Sequence, residues 1–154
     1  MSDVLGIKYG VPQGSVLGPL LFLVYINDIH NSVIDANVKL FADDTNLFVH
    51  AKDLNSAIDK SNKCIDELSD WLIANKLSLS IDKTMFTVFG CSDSSHVRIT
   101  VAGNVVKQVS SCKYLGVYID QDLKWTVHID YVYKNLLKYI GIFYKLRKNF
   151  RVNV

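Results

Sequence analysis

Apolar and polar positions along this chain alternate between unbroken runs, short strand-like runs and helical stripes. Residues 10–15 (Gly-Val-Pro-Gln-Gly-Ser) read as a loop, with two glycines and a proline around Gln13. A helix is expected to begin near Gly18, because Pro19 suits a first-turn position and no breaker follows until Ile26. It is apolar almost all round, which predicts burial. Residues 38–41 (Val-Lys-Leu-Phe) and 46–51 (Asn-Leu-Phe-Val-His-Ala) are two short strand-like runs with a brief interruption, the pattern of a β-hairpin. Asp53 stands at an N-cap position ahead of Leu54, Ala57, Ile58, Ile65, Leu68 and Leu72, which recur at the spacing of one buried helical stripe. Asp59, Lys60, Lys63, Asp66 and Glu67 face water on that helix, which ends near Lys76. Short strands are expected at residues 85–89, 97–101, 105–109 and 114–119, with Ala102-Gly103-Asn104 as a hairpin turn between the middle two. A last helix spans about residues 127–148, with Ile129, Val132, Leu136, Ile140, Phe143 and Leu146 on one face.

The interruption in the first hairpin is Phe41-Ala42-Asp43-Asp44, which sets two carboxylates at its tip. Adjacent carboxylates repel, and apolar neighbours sharpen the repulsion by lowering the local dielectric. A proton or a divalent cation relieves it. Magnesium is typically held by one or two carboxylates plus substrate phosphates, so one reading is a metal site for phosphoryl chemistry. The other is a solvated turn, since Asp favours turns for backbone reasons alone.

Composition narrows the field without choosing between them. The 154 residues are 49% hydrophobic and 21% charged, ordinary values for a folded chain with room for one modest domain. The formal net charge of +2 is only mildly basic, but its distribution is uneven. No acidic residue follows Asp130, whereas Lys134, Lys138, Lys145, Arg147, Lys148 and Arg151 do. Cys64, Cys91 and Cys112 are odd in number and widely spaced, which indicates neither a disulfide framework nor a zinc site. The start of the chain lacks the basic and apolar regions of a signal peptide, and the run at residues 16–26 is too short to span a membrane. An intracellular protein, nuclear or cytoplasmic, is expected, neither secreted nor membrane-bound.

The blocks around the carboxylates are more specific. Gly10-Val11-Pro12-Gln13-Gly14-Ser15 lies upstream of Phe41-Ala42-Asp43-Asp44. Asn75 to Thr84 (Asn-Lys-Leu-Ser-Leu-Ser-Ile-Asp-Lys-Thr) and Lys113-Tyr114-Leu115-Gly116 lie downstream. In this order they resemble motifs B, C, D and E in the second half of a reverse transcriptase of the non-long-terminal-repeat, LINE-like retrotransposons. The resemblance covers residues 9 to about 150. One departure is Gly18-Pro19, where many relatives carry Ser-Pro.

The resemblance implies an α+β fold. It would be a partial polymerase palm at residues 1–120, an antiparallel sheet with helices on one face, followed by the helical start of a thumb at 121–154. It implies RNA-directed DNA polymerase chemistry, with two-metal nucleotidyl transfer onto a primer 3′-hydroxyl. Asp43 and Asp44 would be the catalytic metal ligands for magnesium, with manganese as a substitute, and Lys83 the general acid that protonates pyrophosphate. Gln13, Gly14, Phe41 and Ala42 would line the nucleotide site. Tyr114, Leu115 and Gly116 would form the primer grip, a tight hairpin that supports the primer's 3′ end. Lys134, Lys138, Lys145, Arg147 and Lys148 would contact nucleic acid. The implied partners are an RNA template, a DNA primer and deoxynucleoside triphosphates. The family's motif A, which supplies another metal-binding Asp, and its fingers have no counterpart here. The expectation is therefore an N-terminally truncated fragment, inactive alone, or alternatively a catalytically silent nucleic-acid-binding remnant. For Gln13 the plain alternative is a turn residue, for Lys83 a solvated lysine, for Tyr114 to Gly116 a buried strand, and for the basic helix a solvated face.

Overall fold

The computed structural model describes residues 10–12, 14–91 and 94–147, so Gln13, Lys148 and Arg151 lie outside the described residues. The fold is α+β, and the chain divides between Leu79 and Ser80 into two compact units.

The first unit holds α1 (Gly18–Ile26), the β1 (Asn37–Phe41) and β2 (Asp44–Phe48) hairpin, and α2 (Leu54–Ala74). Asp53 caps α2 as expected, accepting the Ser56 N–H at 2.9 Å and the Ser56 hydroxyl at 2.7 Å. The stripe of α2 supplies Cys64, Leu68 and Leu72 to a core completed by Ile26, Ile29 and Val33. Val38 and Leu47 oppose one another across the hairpin ladder, and both pack on this core. That anchored pair sets the register, since a one-residue slip would turn both side chains to solvent.

α1 departs from expectation. Only Ile26 is buried and Phe22 half-buried, while Leu20, Leu21, Leu23, Val24 and Tyr25 are exposed. Phe22 and Ile26 are four residues apart and reach the core together. Among the described residues of this unit, no layer covers the remaining apolar faces of α1. A polar tie is added at the end of α2, where the Tyr25 hydroxyl donates to the Asn75 carbonyl.

The second unit carries β3 (Met85–Phe86), β4 (Thr100–Val101), β5 (Asn104–Val105), β6 (Lys107–Gln108), β7 (Ser111–Tyr114), β8 (Val117–Asp120) and α3 (Thr126–Leu146). The antiparallel pairs are β1–β2, β4–β5 and β7–β8, while β3 pairs parallel with β6. The strands thus form separate two-stranded ladders among the described residues. Ala102 and Gly103 make the expected turn, both left-handed at φ 47° and 77°. Residues 114–119 are not one strand: Leu115 and Gly116, at φ 48° and 85°, turn the chain between β7 and β8. Two left-handed central residues match the twist of a tight hairpin, which an apolar run read as a single strand conceals. Ile129, Val132, Leu136, Ile140, Phe143 and Leu146 share a face of α3 as predicted, yet all are exposed.

Candidate metal and nucleic-acid site

The β1–β2 hairpin closes on the pair Phe41↔Asp44, leaving Ala42 and Asp43 as its two turn residues. Ala42 is left-handed at φ 51°, uncommon for a residue with a Cβ. All four of Phe41, Ala42, Asp43 and Asp44 are exposed. Among the described residues neither carboxylate is ion-paired, so the oxygens of both remain available to a ligand. Two solvent-facing carboxylates on a tip braced from the core by Val38 and Leu47 fit a hard divalent cation that draws its other ligands from substrate. No group of three or more His, Cys, Asp or Glu converges among the described residues, so a cation held by this pair would need its other ligands from outside them. An open groove of about 510 Å³ runs beside β1, lined by His30, Ala36, Asn37, Val38, Lys39 and Leu40, and does not include the carboxylates.

The loop before α1 has Gly10 and Gly14 left-handed at φ 81° and 84°. Ser15 N–H donates to the Pro12 carbonyl at 3.0 Å, and the Ser15 hydroxyl accepts the N–H of Gly18, the first residue of α1, at 3.0 Å. A Cβ on Gly18 would stand 2.9 Å from that hydroxyl and 3.2 Å from a Val11 methyl, so a larger residue there would require those two side chains to shift.

The other predicted residues belong to the second unit. Lys83 ends a single 3₁₀ turn (Ile81–Lys83) and is exposed. Tyr114 is half-buried and closes the β7–β8 hairpin opposite Val117, and Leu115 and Gly116 project exposed at its tip. Lys134, Lys138, Lys145 and Arg147 are exposed along α3 and at its end. Lys134 lies 2.6 Å from Asp130, so part of its charge is offset, and Lys138 donates to Asn135 at 3.0 Å.

One cluster is not apparent from the sequence pattern. Lys113 stands over the rings of Tyr118 and Tyr131, at 5.7 and 5.6 Å. The signal that finds it is the Leu115-Gly116 turn, since only a hairpin there brings Lys113 opposite Tyr118.

Comparison with known proteins agrees with the family resemblance. A sequence model of the family described as reverse transcriptase (RNA-dependent DNA polymerase) matches residues 4–119. The chain belongs to the reverse transcriptase family. It is 27% identical over 135 residues to the RNA-directed DNA polymerase from mobile element jockey of Drosophila melanogaster, covering 83% of this chain and 15% of that relative. To the probable RNA-directed DNA polymerase from transposon BS of Drosophila melanogaster it is 31% identical over 131 residues, covering 79% and 14%. The Retrovirus-related Pol polyprotein from type-1 retrotransposable element R1 of Bradysia coprophila matches at 22% over 136 residues, covering 86% and 14%. These relatives bear out the non-long-terminal-repeat resemblance. The chain spans only about 15% of the length of the curated relatives it matches. No solved structure matches it. No helix among the described residues is long and apolar enough to cross a membrane.

Proposed function

We propose that this chain is the part of an RNA-directed DNA polymerase that carries the metal-holding hairpin, the primer grip and the start of the thumb. The observation that carries the proposal is the β1–β2 hairpin, which presents Asp43 and Asp44 at a core-anchored, solvent-facing tip. Asp43 is the principal ligand for magnesium or manganese, and Asp44 supports it. Bound there, the metal supplies charge stabilisation for transfer of a nucleotidyl group to a 3′-hydroxyl.

The chain's own residues do the rest. Phe41 and Ala42 flank the primer end, where the small side chain of Ala42 leaves room. Gln13 and Gly14 approach the incoming deoxynucleoside triphosphate, and Lys83 donates a proton to the departing pyrophosphate. Tyr114, Leu115 and Gly116 support the primer. Lys134, Lys138, Lys145, Arg147 and Lys148 meet phosphates of the RNA template–DNA primer duplex. In this reading residues 1–120 serve as palm and 121–154 as thumb start, working inside the cell, in nucleus or cytoplasm.

The 154-residue chain by itself extends no primer. The test is primer extension on poly-A template with magnesium or manganese, run on this chain and on a version lengthened by any in-frame upstream sequence. Synthesis by the longer protein, abolished by Asp43→Ala, supports the reading. Robust extension by the short chain contradicts its inactivity, and synthesis that survives Asp43→Ala contradicts the metal assignment.

A further inference from the structure

Lys113 lies on β7 directly opposite Tyr118 on β8, so the two side chains leave the same face of the hairpin. The Tyr118 and Tyr131 rings are 5.0 Å apart and tilted by 59°. Beside them the Tyr118 N–H donates to His128 Nδ1 at 3.4 Å, which ties α3 to the hairpin. The Lys113 ammonium stands over both rings, and among the described residues no carboxylate lies within ion-pair distance of it. Lys134, by contrast, is already paired with Asp130.

Ring faces attract an ammonium without neutralising it. A lysine held in this way keeps its full charge for an outside anion and has less side-chain freedom left to lose on binding. The line continues along α3. Lys138 follows Tyr131 by seven residues and Lys145 by seven more, which keeps the three on nearly one face. Seven residues rise about 10.5 Å along a helix. That is close to three base steps along the axis of a DNA duplex, at about 3.4 Å each.

We propose that Lys113, steadied by the rings of Tyr118 and Tyr131, contacts a backbone phosphate of the bound nucleic acid and begins a row of cations that runs along α3 through Lys138 and Lys145. The inference rests on the nucleic-acid reading above and adds to it a residue from the hairpin.

The experiment measures binding of the full 154-residue chain to a short end-labelled RNA–DNA hybrid by fluorescence anisotropy over a salt series. Lys113→Gln should lower the slope of log affinity against log salt by about 0.9, the value for one phosphate no longer neutralised. Lys113→Arg should keep the slope. Lys134→Gln should lower it by less, because Asp130 already offsets that charge. At fixed salt, Tyr131→Leu should weaken binding roughly two- to fivefold by removing the ring, and Tyr131→Phe should not. Far-UV circular dichroism checks that each variant is folded. A wild-type salt slope that Lys113→Gln leaves unchanged overturns this inference and spares the interface on α3. Wild-type chain that does not bind the hybrid overturns both.

Discussion

Phe41 and Asp44 form the closing pair of the β1–β2 ladder, on the face opposite Val38 and Leu47. Side chains alternate along a strand, so the same register that buries Val38 and Leu47 turns Phe41 and Asp44 outward. An aromatic ring and a carboxylate therefore share the solvent face of the tip, with Asp43 in the turn between them. Packing in the core thus controls how Phe41, Asp43 and Asp44 are presented.

Stability and site chemistry should separate accordingly. Leu68→Ala removes a buried side chain from the core of the first unit and should cost about 2–5 kcal/mol in urea unfolding. Asp43→Asn should leave the urea midpoint unchanged or slightly raised, because it removes one of two adjacent like charges. A large loss of stability in Asp43→Asn would mean that the carboxylate has a structural partner.

The cap of α2 should leave a pH signature. The Ser56 N–H, and then the Ser56 hydroxyl, hold the Asp53 carboxyl below its usual value of 3.8. A lowered folded-state value means that the contribution is present above 3.8 and is lost as pH falls through the lower value. Asp53→Asn keeps a capping oxygen without the charge. It should melt slightly below wild type at neutral pH, and the gap should close on acidification. A gap that widens toward low pH would contradict this.

The exposed faces of α1 should tolerate charge. Leu21→Glu with Val24→Glu alters side chains that are 50% and 69% exposed. The double variant should keep its far-UV circular dichroism and melting temperature, and show less self-association in light scattering at high concentration. Unfolding of the double variant would show that these side chains are packed.

Neutralising Lys134, Lys138, Lys145 and Lys148 together should flatten the salt dependence of hybrid binding, by up to about 0.9 log unit for each phosphate that is no longer neutralised. Wild-type binding should be weak and sequence-independent. A quadruple variant with an unchanged slope would make α3 an ordinary solvated helix.

Local signals carry much of the fold. Pro19 marks the start of α1, Asp53 marks the cap of α2, and the stripe through Leu68 and Leu72 marks the face that α2 buries. The carboxylates at the hairpin tip are legible too, because short apolar runs flank a brief polar interruption. What stays hidden depends on neighbours. An apolar helix such as α1 is buried only where another layer covers it, and periodicity carries no information about that layer. The β7–β8 turn is concealed from the apolar pattern, because Leu115 occupies a left-handed position better suited to Asn or Gly, and only the primer-grip resemblance implies a hairpin there. With the turn goes the register, and with the register the meeting of Lys113 and Tyr118.

Whether Asp43 and Asp44 hold a divalent cation is read by titrating manganese into isotopically labelled chain and following paramagnetic broadening of the backbone amides. Selective broadening centred on residues 41–45 is expected at low metal occupancy, displaced by excess magnesium and lost in Asp43→Asn. Broadening spread evenly over the exposed carboxylates, or centred on the hairpin but unchanged in Asp43→Asn, would contradict the metal assignment.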